Sequence, residues 1–219
     1  MWAADWKDTS YWLDDLPQVA GVSSDLKRKV DVLIIGSGYT GLNAALEIAR
    51  GGRDVMVIES GSPGFGCSTR NGGQISTHVK PSLAKLTQKV GASRASAMRQ
   101  EGVNALDWIE ELVNKEKLDC NFLRAGRFHA AHSREQYDDL ARDAEKLTNF
   151  ENIPTEIVPK AEQHKELGTD IYHGGVVFPR HASVQPAKYH HGLLSRVIKA
   201  GATVVSYCEA KAVNKLKKG

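Results

Sequence analysis

The stretch from Val30 to Glu59 constrains the fold more than any other part of the chain. Val30-Asp31-Val32-Leu33-Ile34-Ile35 is a β-branched, apolar run of strand length that leads directly into Gly36-Ser37-Gly38-Tyr39-Thr40-Gly41. Its continuity suits a strand covered on both faces, as in a parallel sheet. Leu42, Ala45, Leu46, Ile48 and Ala49 then recur at helical spacing, and Gly51-Gly52 stops the helix. Asp54-Val55-Met56-Val57-Ile58 forms a second strand that ends on Glu59. Strand, glycine turn, helix, strand and acid in this order predict an α/β fold with a Rossmann-like domain.

Each glycine has a physical task. Gly36 permits the tight strand-to-helix turn, Gly38 lets the backbone approach a pyrophosphate, and Gly41 lets the helix pack on the strand. Ser37, Tyr39 and Thr40 complete the loop, and the helix N-terminus offers N–H groups and a positive dipole end to phosphates. Glu59 lies 18 residues beyond Gly41. A carboxylate there accepts hydrogen bonds from both ribose hydroxyls and repels a 2′-phosphate, which argues against NADP. The motif by itself does not separate FAD from NAD.

The segment after Glu59 bears on that choice. Ser60 to Ser76 is rich in glycine and small hydroxyl residues, with one arginine, where a plain NAD unit would enter another helix. Such a loop can wrap an extended ligand with backbone donors.

The glycine motif, Glu59 and the tract Ser68-Thr69-Arg70-Asn71-Gly72-Gly73-Gln74 resemble the FAD-dependent amine and amino-acid oxidases of the D-amino-acid oxidase superfamily. Within that superfamily the gamma-glutamylputrescine oxidoreductase branch is the nearest likeness, from Ser10-Tyr11-Trp12-Leu13 and Arg70 to Gln74. Weaker likenesses follow at Leu123 to Ala131, Gly174 to Pro179, Val184 to Ala187, Gly201 to Val204 and Lys211 to Val213. The resemblance implies FAD as cofactor, with Gly36, Gly38 and Gly41 on the pyrophosphate and Glu59 and Ser60 on the adenosine ribose. It places Ser68, Thr69, Arg70, Asn71, Gly72, Gly73 and Gln74 around the flavin ring and its linker, and Val213 near the adenine. It further implies oxidation of a C–N bond of a small amine or amino acid, with dioxygen or another electron acceptor. The imine product would then hydrolyse. No catalytic acid or base is evident from the residues.

The implied organisation is an N-terminal arm over 1–29, an FAD-binding βαβ unit and flavin loop over 30–80, a helical segment and part of an α+β substrate domain over 81–185, and a return to the FAD domain over 186–219. In the arm, Trp2, Trp6, Tyr11 and Trp12 are expected to bury their rings on the folded domain, and Gly21 to Asp25 reads as a turn-rich linker. Ser82 to Lys117 reads as helical, with Ala105, Trp108, Ile109 and Leu112 on a core-facing side; Arg134 to Lys146 and Pro186 to Ala200 read as further helices, and Thr203 to Tyr207 as a strand.

Other classes find little support. A net charge of +3 is too small to imply a nucleic-acid partner. Cys67, Cys120 and Cys208 form no C-x-x-C pair and read as reduced thiols of a cytoplasmic protein. The longest apolar run, Val32 to Ile35, is too short to cross a bilayer. The adjacent His190 and His191 point in different directions on a helix, so no metal site is expected. No G-x-S-x-G elbow or P-loop lysine is present. The length, 219 residues, is about half that of the resembled enzymes. A truncated, inactive FAD-binding fragment or a subunit needing another chain is therefore an alternative, and an NAD-dependent dehydrogenase is a second.

Overall fold

The computed structural model describes residues 6–14, 16–17 and 19–215. Its strands are β1 (Val32–Ile35), β2 (Val55–Ile58), β3 (Gln74–Ile75), β4 (Arg127–Ala130), β5 (Glu156–Pro159), β6 (Gly174–Phe178), β7 (Ala182–Ser183) and β8 (Thr203–Val205). Its helices are α1 (Tyr39–Arg50), α2 (Leu83–Val90), α3 (Ala92–Glu116), α4 (Arg134–Glu151) and α5 (Pro186–Lys199). Trp2 of the aromatic arm lies outside the described residues.

Two units emerge. The first takes in the chain up to Gly73, Glu116–Asn121, and the chain from Gln185 onward. Its sheet is parallel in the order β1-β2-β8, with Val32 opposite Val55 and Met56 opposite Thr203. The central strand β2 is buried at all four positions, as its unbroken apolar run requires. The edge strand β1 departs from the expected two-sided cover: Leu33 is 48% exposed and Ile35 56%. Only β2 pairs with β1 among the described residues, and its side chains alternate between half-buried and exposed, so one face of the strand lacks cover.

Behind the sheet, α1 buries Leu42, Ala45 and Leu46, and α5 packs beside it with Leu193, Leu194 and Val197. The α5 N-terminus carries Pro186 in its first turn, and the Gln185 side chain caps it by accepting from the Lys188 amide. The other end of that amide, Gln185 Nε2, donates to the Trp12 carbonyl at 2.7 Å. The arm is thus held by backbone, and its rings are less buried than expected, with Tyr11 84% exposed and Trp6 also exposed. The Gly21 to Asp25 stretch does more than link: the Ser23 amide donates to the Val204 carbonyl and bridges β8. The expected last strand is shorter than Thr203 to Tyr207, because Tyr207 turns to a left-handed φ of 54°. The buried Glu116 carboxylate joins both helices, 2.7 Å from Arg50 of α1 and 3.5 Å from Arg196 of α5.

The second unit comprises Gln74–Lys115 and Phe122–Val184. Its main sheet is antiparallel, with β6 between β4 and β5. Helix α4 covers it, packing Leu140, Ala144 and Leu147 against Val176 and Phe178. The Ser133 hydroxyl caps α4, which runs on to Glu151 rather than stopping at Lys146. Helix α3 presents a face that only partly matches the one expected. Leu112 is buried as expected and Ile109 half-buried, but Ala105 is exposed and Trp108 is 43% exposed, and the buried positions are joined by Ala95, Val103, Leu106 and Val113. Gly102 sets that rotation, because a Cβ there would lie 2.5 Å from the Thr77 carbonyl oxygen. Among the described residues no helix is long and apolar enough to cross a membrane.

Candidate cofactor site

The glycine loop follows β1 in the first unit. Gly36 has φ +96°, a left-handed conformation that an L side chain rarely adopts, and space is open around it. A Cβ on Gly41 would lie 2.1 Å from the Gly36 carbonyl oxygen, so the helix can approach the turn only with glycine there. Between them Ser37 is fully buried. Its amide and its hydroxyl both donate to one oxygen of Glu59, each at 2.9 Å. The second Glu59 oxygen accepts from Ser60 Oγ at 3.1 Å and from the Gly61 amide at 3.2 Å. Burial alone would raise the Glu59 pKa; these four donors outweigh it and hold the carboxyl below its ordinary value. The acid is therefore an anion at neutral pH, aimed from the end of β2.

At the start of α1, the Tyr39 amide donates to Ser68 Oγ at 3.1 Å, so the downstream loop already occupies one of the helix N–H groups. The amides of Gly38, Thr40 and Gly41 have no acceptor among the described residues. Open space at Gly36, unengaged amides at a helix N-terminus and an ionised acid at the next strand end suit a pyrophosphate and its adjoining ribose.

The other expected residues are used in several ways. Thr69 is buried and donates its hydroxyl to the Gly64 carbonyl at 2.6 Å. Asn71 folds the loop on itself: its amide donates to the Cys67 and Ser68 carbonyls, and its oxygen accepts from the Gly73 amide at 2.8 Å. Arg70 is exposed, with its guanidinium 4.5 Å above the Phe65 ring. Gly72 is exposed with open space around it. Gln74 begins β3 in the second unit, opposite Ser183. Val213 lies beyond β8 and is 84% exposed. Hydrogen bonds thus link Ser37, Glu59 and Ser60 on one side of the glycine loop and Tyr39 and Ser68 on the other, and none of these bonds involves Arg70 or Val213.

One residue of this network escaped the motif. His190 of α5 is fully buried, and its Nε2 lies 2.7 Å from the Ser37 carbonyl oxygen. A carbonyl only accepts, so Nε2 carries the proton. Burial pushes the His190 pKa down and the adjacent His191 adds to this, against the bond to Ser37 and the Glu59 charge. The ring lies so close to the loop that a Cβ on Gly64 would be 2.6 Å from it. Its sequence signal is its place on the stripe Ala187, His190, Leu194 and Val197, all of which are buried.

A parallel sheet, a glycine turn opening a helix and a terminal acid define a dinucleotide-binding protein. Residues 31–219 match the family model for FAD dependent oxidoreductases, DAO. The chain belongs to this family, whose cofactor is FAD. It is 31% identical over 193 residues to the "Probable oxidoreductase OrdL" of Rhizobium meliloti, covering 88% of this chain and 44% of that protein. It is 29% identical over 147 residues to the gamma-glutamylputrescine oxidoreductase of Escherichia coli, covering 67% of this chain and 34% of the enzyme. Among solved structures, the L-amino acid deaminase from Proteus vulgaris superposes with a TM-score of 0.71 at 20% identity, over 91% of this chain and 44% of that one. The chain thus spans less than half the length of these relatives.

Proposed function

We propose that this chain carries the FAD site of an oxidoreductase that oxidises a C–N bond of a small amine or amino acid. The observation that supports it most is the Glu59 carboxylate clasping Ser37 beside the unengaged amides of Gly38, Thr40 and Gly41. In this assignment those amides and Gly36 hold the pyrophosphate, Glu59 and Ser60 hold the adenosine ribose, Ser68 to Gln74 surround the flavin ring and linker, and Val213 lies by the adenine. The first unit is then the FAD-binding domain and the second the substrate domain. When bound, FAD supplies the acceptor for a hydride from the carbon bearing nitrogen. The protein's share is orientation and exclusion of water, so a strong base is not required once the amine is neutral. Gamma-glutamylputrescine is the first substrate to try, on the strength of the likeness to the Escherichia coli enzyme. Dioxygen or another carrier accepts the electrons.

The test is to purify the protein and record its visible spectrum, then add gamma-glutamylputrescine, sarcosine or glycine without air. A flavin spectrum that bleaches on substrate, with peroxide released in air when dioxygen is the acceptor, is the expected result. A colourless protein that binds NAD would overturn the assignment. A second reading has the 219 residues binding FAD but turning over only with a partner chain or further residues, and the edge of β1, which no strand pairs among the described residues, favours it. It predicts a flavin spectrum that no amine bleaches.

A further inference from the structure

The Ser37 side chain and backbone are engaged at every polar group. The amide and hydroxyl hydrogens go to Glu59, the hydroxyl oxygen accepts from the Gly64 amide at 3.2 Å, and the carbonyl accepts from His190 Nε2. The last contact has a geometric consequence. The Ser37 carbonyl and the Gly38 amide belong to one planar trans peptide unit, so they point in opposite directions. Whatever pins the carbonyl inward also turns the Gly38 N–H outward. His190 pins it, at 2.7 Å, from a helix 153 residues further along the chain. The Gly38 N–H has no acceptor among the described residues. The ring is closely surrounded: a Cβ on Gly64 would lie 2.6 Å from its Cε1, and the Tyr39 and His191 rings flank it at 6.3 and 6.0 Å.

We infer that His190 is a positioning residue of the cofactor site, which through the Ser37 carbonyl aims the Gly38 amide at the pyrophosphate of the dinucleotide. The inference rests on the cofactor assignment above. It also accounts for a fully buried imidazole whose Nδ1 has no partner: one nitrogen carries the contact, and the other is left to the apolar interior. A leucine would fill the stripe of α5 without an unsatisfied nitrogen, so the histidine is explained by the bond it makes rather than by packing.

The experiment measures binding of FAD, ADP and adenosine to the full-length protein, stripped of flavin, and to three variants. His190→Leu keeps the bulk and removes the donor. His190→Gln carries an N–H at about the reach of Nε2, and His190→Asn carries the same group too short to reach Ser37. An unsatisfied buried carbonyl and a misdirected amide should weaken FAD and ADP about tenfold in the Leu and Asn variants. Adenosine, which has no phosphate, should change less than about twofold, and Gln should restore FAD affinity to within about threefold of the parent. If the Leu variant fails to fold, the Gln and Asn pair alone carries the comparison. FAD affinity equal in parent and Asn variant, or adenosine weakened as much as ADP, would overturn the role of His190. A parent protein that binds neither FAD nor ADP would instead overturn the cofactor assignment.

Discussion

At the scale of single residues, charge placement decides most. Glu59 holds four donors, two of them from Ser37. Glu59→Gln removes the charge and leaves those donors competing for one carbonyl oxygen, beside an amide that cannot accept. Flavin titration of the variant should show FAD affinity lowered about tenfold, equivalent to about 1.4 kcal/mol. Unchanged affinity would detach Glu59 from the ribose. His181 in the second unit is a separate titration case. It is buried and stacked on Phe178, with Nε2 3.5 Å from the Thr77 hydroxyl and Nδ1 unpartnered. Burial, then the positive charges of His78 and Arg127, lowers its pKa to about 4. The unfolded chain, with an ordinary histidine pKa, therefore takes up the proton first as the pH falls. The stability this histidine contributes is full above about pH 6.5 and lost progressively down to about pH 4, up to about 3 kcal/mol. Denaturant midpoints at pH 7 and pH 4.5 should lie closer together in His181→Phe than in the parent. An equal gap would show that His181 does not carry this dependence.

At the scale of elements, packing is set by a few polar bolts. Glu116 is buried between Arg50 of α1 and Arg196 of α5, and its backbone carbonyl also accepts from the Arg196 guanidinium at 2.6 Å. Glu116→Ala leaves two partly buried arginines facing each other, and urea denaturation should show a loss of about 2 kcal/mol. A loss below about 0.5 kcal/mol would mean that solvent screens both pairs. Ser133→Ala removes the α4 cap and should cost about 1 kcal/mol by the same measurement. The α1 and α5 helices were legible as sequence, because their apolar residues recur at helical spacing and their ends carry glycine or proline. The buried face of α3 was legible only in part, at Leu112. Its 25 residues offer apolar side chains on more than one side. The choice fell to Gly102, where the helix approaches Thr77 too closely for any side chain.

For the whole molecule, the free edge of β1 is the decisive feature. Leu33 and Ile35 are exposed on a strand whose backbone, among the described residues, pairs on one side only, a surface that invites a further strand or another copy. The 219-residue chain should therefore self-associate in light scattering, and Leu33→Lys with Ile35→Lys should return it to monomer while flavin binding persists. Persistent association of the double variant would place the sticky surface elsewhere. What the sequence determined by itself is the strand–glycine–helix–strand–acid unit, and with it a dinucleotide-binding architecture though not the choice between FAD and NAD, because those signals are contiguous and each follows from local backbone sterics or helix periodicity. What only the tertiary structure decided is which distant groups hydrogen-bond to the glycine loop. Ser68 capping α1 and His190 fixing the Ser37 carbonyl join residues 29 and 153 positions apart. Contacts of that range depend on how helices and loops pack on the sheet, and no local pattern encodes them.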